Sequence, residues 1–252
     1  MRNSSRARFD PVQYERKAFP KRGGAIVSER ELEDVLELSE GAPSRIVLEI
    51  GIGTGRVLRR LARRNDSVVG LDADQRMIHQ FAKRAQLNGD SVGRQIDLVV
   101  AEGQCLPFRE GAFGAVVCIR VLRYFHQPRK AVAEMCNLLM PGGRLVLEFA
   151  NILRPQTIAQ FPQYISRGEF YPRLFRRSDL EEWVVDEKMH IEGVRGWHKV
   201  PPEILSLSNN PTFLRLLSHL ESVLQRVLPP EILSRSLVMR ATKIRSVGKG
   251  RT

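Results

Sequence analysis

The stretch VLEIGIGTGRVLRR, residues 47–60, sets Gly51, Gly53 and Gly55 at alternate positions between an apolar run and a Leu/Arg pattern of helical period. Strand, glycine loop and helix in that order make a cradle for an anion or a cofactor. Glycines let the backbone approach the ligand, and the helix N-terminal amides face its negative groups. Asp72, at the end of the next apolar run and 17 residues after Gly55, adds a carboxylate able to accept both hydroxyls of a ribose. A nicotinamide dinucleotide and a nucleoside with a short tail fit this pattern equally well, and Asp72 could also simply cap its strand.

The elements that must position these residues follow from the alternation of short β-rich runs with amphipathic helices. RIVLEI (45–50), SVVGLD (67–72), IDLVVA (96–101), GAVVCI (114–119) and RLVLEF (144–149) read as strands buried on both faces. Between them, GRVLRRLARR, QRMIHQFAKRAQL and RKAVAEMCNLLM each gather apolar residues on one side of a helix. This order predicts a parallel sheet with helices on both faces and the functional loops along one edge. After residue 150 the rhythm changes. Residues 152–177 predict a lid, RSDLEEWVVDEK a helix capped by Ser178, and HIEGVRGW (190–197) and SLVMRATKI (236–244) two more strands. Residues 210–228 predict an inserted helix with Phe213, Leu216, Leu217, Leu220, Val223, Leu224 and Val227 on one stripe, stopped by Pro229-Pro230. The chain divides into a basic N-terminal segment with cofactor-covering helices (1–44), a nucleotide-binding core (45–151), and a C-terminal part of the same domain (152–252) with inserted helices over 201–235.

VLEIGIGTG, VVGLDAD, AEGQCLPFREGAFGAVVCIRVLRYF and LLMPGGRLVLEFAN, in that order over residues 45–151, resemble the motifs of the class I S-adenosylmethionine-dependent methyltransferases, particularly the ubiquinone and menaquinone methylases. FDPVQYERKAF carries a weaker likeness to the Tyr-containing helix that closes over the cofactor. The resemblance implies a Rossmann-like, doubly wound α/β fold with a seven-stranded sheet, mostly parallel with an antiparallel last strand. It implies that Glu49 and the backbone around Gly51, Gly53 and Gly55 hold the methionine part of S-adenosylmethionine. Asp72 would take the ribose hydroxyls, Met77 or Ala73 would cover the adenine, and Glu102 with the amide of Gly103 would meet its amino group. Each has a plainer reading: Glu49 a strand-end cap, Glu102 a solvated loop acid, Met77 ordinary helix packing. Two departures from the family pattern stand out, Glu102 where Asp is more usual and Gly114 where Asp commonly follows Phe.

A sulfonium methyl is already primed for displacement, so the resemblance asks the chain mainly to align a nucleophile and exclude water, with a base only for a protonated acceptor. In IRVLRYFHQP, Tyr124 and His126 are candidates for proton exchange, and Arg120 and Arg123 for holding an anionic acceptor; a core aromatic, a surface histidine and solvated arginines are the alternatives. Tyr164 and Tyr171 in the expected lid, with Arg173, Trp197 and His198, are further candidates. No Asn-Pro-Pro-Tyr or Asp-Pro-Pro-Tyr follows the fourth strand, and no Pro-Cys nucleophile occurs, which disfavours base amino-methylation and cytosine C5 attack. A small-molecule or lipid-like acceptor is expected.

Composition bounds the partners. The net charge of +12 is concentrated at the two ends of the chain, residues 1–24 and 235–252, so the body between them is nearly neutral. Basic ends keep a protein in solution or hold RNA or an anionic membrane; a nucleic-acid partner is admitted but not favoured, and a non-catalytic assembly partner is the other alternative. Cys105, Cys118 and Cys136 show no metal-ligand spacing. With no long apolar run and no secretory leader, a cytoplasmic setting is expected, and no metal.

Overall fold

The computed structural model describes residues 21–87, 96–154, 173–201, 204 and 210–245. Its elements are α1 (Lys21–Ser39), β1 (Ile46–Ile50), α2 (Arg56–Ala62), β2 (Ser67–Asp72), α3 (Gln75–Leu87), β3 (Ile96–Val100), β4 (Phe113–Cys118), α4 (Pro128–Leu138), β5 (Leu139–Ala150), α5 (Arg177–Asp186), β6 (Met189–Trp197), α6 (Pro211–Val227) and β7 (Ser236–Lys243). The seven strands form one sheet in the order β3-β2-β1-β4-β5-β7-β6. β1 pairs in parallel with β2 and β4, and β7 runs antiparallel between β5 and β6. The sheet is thus mostly parallel, as expected, with helices on both faces.

Strand periodicity divides the core into two layers. Leu48 and Ile50 of β1 face the side covered by Val132 and Met135 of α4 and Leu180 and Val184 of α5. Val47 faces the side covered by Leu32 and Val35 of α1, Leu58 and Leu61 of α2, and Phe81 of α3. Both layers are needed to bury the apolar runs of the central strands on both faces.

Three sequence expectations are corrected. IDLVVA is not buried on both faces: β3 is the edge of the sheet, and only part of it is covered. Ser178 lies inside α5 rather than capping it; Arg176 occupies the cap with no side-chain hydrogen bond, while the Ser178 hydroxyl meets the Asp179 carboxylate. The stripe on α6 is split, because Leu214 and Leu217 are buried with Val200 while Leu216, Leu220, Val223 and Val227 are exposed. The basic excess at the C-terminal end is partly built into the sheet: Arg240 of β7 pairs with Glu192, and Lys243 donates to the Cys136 carbonyl. Most of the expected lid, and FDPVQYERKAF, lie outside the described residues.

Gly114 has a structural reason. It sits where the β4–β5 register shifts, and a Cβ there would lie 2.0 Å from the Ser44 carbonyl oxygen. The backbone entering β1 occupies the space any side chain would need.

Candidate active site

The glycine loop leaves β1 and is fastened at once to β2: the amides of Gly51 and Ile52 donate to the Leu71 carbonyl at 2.6 and 3.1 Å. Gly51, Gly53 and Gly55 all adopt positive φ, and Gly55 caps α2 in the left-handed region. Close packing adds to this demand, since a Cβ on Gly51 would lie 2.2 Å from a Val121 methyl and one on Gly55 2.0 Å from the Phe81 ring.

Asp72 closes the loop from the neighbouring strand end. Its Oδ2 accepts from the Gly53 amide and its Oδ1 from the Asp74 amide, both at 2.9 Å. Burial raises its pKa above the ordinary carboxylate value, against the opposing effect of those amide donors. Each oxygen keeps acceptor capacity for a further donor.

Glu49 lies one strand-step before the loop, almost fully buried, and among the described residues its Oε2 has no hydrogen-bond partner. Burial pushes its pKa well up; Arg56 opposes this and Asp72 adds to it. An orphaned carboxylate oxygen beside a glycine loop suits a cationic or N–H-bearing ligand.

Beyond the glycine loop two buried carboxylates organise the arginines. Glu31 of α1 receives Arg56 Nη2 at 2.7 Å, Arg120 Nη2 at 2.5 Å and His198 Nε2 at 2.7 Å. Burial alone would raise the Glu31 pKa, but Arg120, His198 and Arg56 together hold it far below the ordinary range. An ionised carboxylate offers only acceptors, so His198 Nε2 carries the hydrogen. Glu148 of β5 accepts from the Arg120 amide at 2.8 Å and from Arg123 Nη2 at 2.9 Å. Arg120 itself is held at a φ of 64°, turning the chain out of β4.

Glu49, Gly51, Gly53, Gly55 and Asp72 therefore come together directly. Ala73 follows Asp72 and is half-buried, while Met77 is buried yet belongs to neither apolar layer of the sheet. Glu102 and Gly103 lie on the loop after β3, joined to the β2 end by the Ala101 amide donating to the Asp72 carbonyl. Arg120 and Arg123 share Glu148. Tyr124 is half-buried in the short 3₁₀ turn Leu122–Tyr124, and His126 is exposed just beyond it. Tyr164 and Tyr171 lie outside the described residues. Sequence reading missed Glu31, Arg56 and Glu148. The available signals were an acid in phase with Val35 and Leu38 on a helix, a basic residue directly after the glycine loop, and an acid inside an apolar strand.

A small cavity of about 40 Å³ adjoins this cluster, lined by Glu31, Trp197, His198 and Val200 together with Leu217 and Glu221 of α6.

Residues 48–147 match the family model described as a methyltransferase domain. The matched stretch makes up less than half of the chain. Its similarity extends to a ubiquinone biosynthesis O-methyltransferase of Xylella fastidiosa (strain M23), 28% identical over 167 residues, or 62% of this chain and 65% of that protein. A ubiquinone/menaquinone biosynthesis C-methyltransferase of Wigglesworthia glossinidia brevipalpis is 30% identical over 115 residues, 44% of this chain and 45% of its own length. The fold is shared with the magnesium protoporphyrin IX methyltransferase of Synechocystis PCC 6803, solved with S-adenosylhomocysteine bound, at 15% identity and a TM-score of 0.62, covering 94% of this chain and 89% of that one. The matched stretch begins inside β1 and ends inside β5, so it contains the glycine loop, Asp72, Glu102 and Arg120 but not Glu31, Glu148 or His198.

Proposed function

We propose that this chain transfers the methyl group of S-adenosylmethionine to a small-molecule or lipid-like acceptor. The observation that carries this reading is the buried, unpartnered Oε2 of Glu49 beside the glycine loop, with Asp72 across it. When bound, S-adenosylmethionine supplies a methyl on a sulfonium, ready for displacement. Glu49 takes the ammonium of its methionine part, and the backbone at Gly51, Gly53 and Gly55 lies along it. Asp72 accepts the two ribose hydroxyls, whose donors complement its two oxygens. Met77 and Ala73 cover the adenine, Glu102 accepts from its amino group, and the Gly103 amide donates to the ring. The burial of Met77 outside both apolar layers supports its place here.

On the acceptor side, Glu31 and Glu148 fix the guanidiniums of Arg120 and Arg123, so these frame the cleft rather than sweep it. Among the described residues Arg123 keeps a buried Nε without an acceptor, which suits an oxygen of the acceptor molecule. Tyr124 and His126 are the groups that take a proton if the nucleophile arrives protonated, and Tyr164 and Tyr171 are assigned to the acceptor's cover. The quinone-biosynthesis names of the relatives, O- and C-methyltransferase alike, support a small apolar acceptor and leave the methylated atom open. A reducing, cytoplasmic setting is proposed with this reading, in keeping with the free thiols of Cys105, Cys118 and Cys136.

Calorimetric titration of the full chain with S-adenosylmethionine, S-adenosylhomocysteine and NAD tests this. Saturable binding of the two sulfur nucleosides and none of NAD is expected, with Asp72→Ala weakening it about a hundredfold through the loss of two charged hydrogen bonds. A folded wild type that binds neither sulfur nucleoside would sink the proposal.

A further inference from the structure

Among the described residues, helix α6 buries one side and leaves an apolar line uncovered on the other. Leu214 and Leu217 pack on Val200, while Leu216, Leu220, Val223 and Val227, spaced at four, three and four residues, stay 65, 44, 40 and 72% exposed. Residues at that spacing share one side of a helix, so these four form a continuous stripe. The segment after α6 exposes two more large apolar residues, Ile232 and Leu233.

Charge along α6 is one-sided. Arg215, His219 and Arg226 are exposed, and the helical repeat puts all three along one border of the stripe. The helix has one acid, Glu221, which is buried and accepts from the backbone amides of Lys199 and Val200. Helix α1 and its acids meet α6 from the other side: the Arg30 guanidinium donates to the Ser218 carbonyl, and Ser218 lies opposite the stripe.

From this geometry we propose that α6 docks the protein on an anionic lipid bilayer. An apolar line with a basic border and no exposed carboxylate is the arrangement of a helix that lies in the membrane interface, apolar side among acyl chains and cations at the phosphates. A second copy of α6 would bring the same exposed cations and no carboxylate to meet them. The inner side of the helix, through Leu217, Ser218, Glu221 and Gln225, lines the cavity that also holds His198 and Glu31. The docking itself is independent of the methyl-transfer reading.

The test is co-sedimentation of the full chain with vesicles of phosphatidylcholine alone and of phosphatidylcholine mixed with phosphatidylglycerol, at low and high salt. Binding to the mixed vesicles, reduced by salt and weak on the neutral ones, is expected. The triple variant Leu216→Ser, Leu220→Ser, Val223→Ser should lose about tenfold or more of that partition, and Arg215→Gln with Arg226→Gln about tenfold at low salt. Retained melting behaviour in both variants shows that they fold. Full partition of the folded triple variant would mean that basic ends alone hold the vesicle, and it overturns the proposal; so does a wild type that ignores both vesicles. A dimer in light scattering that the triple variant abolishes also overturns it, by showing that the stripe is a self-contact. No cofactor or turnover is needed, so a negative calorimetric titration and a negative vesicle experiment are separate results.

Discussion

At the residue scale, Glu49 is an acid held where its charge is disfavoured. Burial lifts its pKa well above the ordinary 4.5, Arg56 resists and Asp72 reinforces. The native state therefore holds a proton over a range where the unfolded chain has released it. Stability falls as pH rises from the ordinary carboxylate range toward the raised native value. At neutral pH the ligand-free protein carries this cost, and a cationic ligand group removes it. Glu49→Gln should raise the melting temperature of the ligand-free protein by about 2–8 °C at neutral pH, from a desolvation penalty of about 1–2 kcal/mol. The same change should weaken S-adenosylhomocysteine binding by about tenfold or more, read by calorimetry. A lower melting temperature in the variant would show that Glu49 is already compensated inside the protein and is not waiting for a ligand.

At the scale of elements, the start of β4 and the entry to β1 share one volume, and Gly114 is the residue that lets them. Gly114→Ala forces its Cβ against the Ser44 carbonyl, a backbone atom that cannot rotate away. It should cost about 2–3 kcal/mol in urea denaturation, with nearly unchanged cofactor affinity because neither element end contacts the glycine loop. A loss of affinity at full stability would move this position into the site. The same elements show what the sequence discloses. β1, β2, β4 and the body of β5 are legible because strands covered on both faces must be apolar throughout, and the glycine loop is legible because three positive-φ positions at alternate residues leave few residue choices. β3 has a similar composition, but its edge position depends on strand order, which local pattern does not contain. α6 is legible as a helix, whereas which of its apolar residues are covered depends on Val200 and its neighbours. Asp72 stands out as an acid at a strand end; Glu31 does not, because acids surround it on α1 and its partners lie far off in the chain.

Across the whole molecule, those distant partners make Glu31 the point where three regions meet. Its bonds to Arg56, Arg120 and His198 span 25, 89 and 167 residues, joining α1 to the glycine-loop helix, the end of β4 and the end of β6. Asp34, one turn further along α1, adds a second tie to β6 by accepting from the Trp197 indole at 2.8 Å and from Arg195 at 2.9 Å. Because the Glu31 pKa is lowered in the native state, its contribution has the opposite sign to that of Glu49: present in full above the ordinary 4.5, and lost as pH falls through that range toward the lowered native value. Glu31→Gln keeps the shape and removes the charge between two guanidiniums, so at neutral pH it should cost about 3–5 kcal/mol in urea denaturation. The gap to wild type should narrow in acid, as the wild type surrenders the same interaction. Amide exchange should quicken in α1 and at the start of α2 together, since one carboxylate fastens both. A deficit that stays constant with pH would assign the effect to packing. Fast exchange confined to α1 would show that Glu31 holds only its own helix, leaving the glycine loop to stand on its bonds to Leu71 and Asp72.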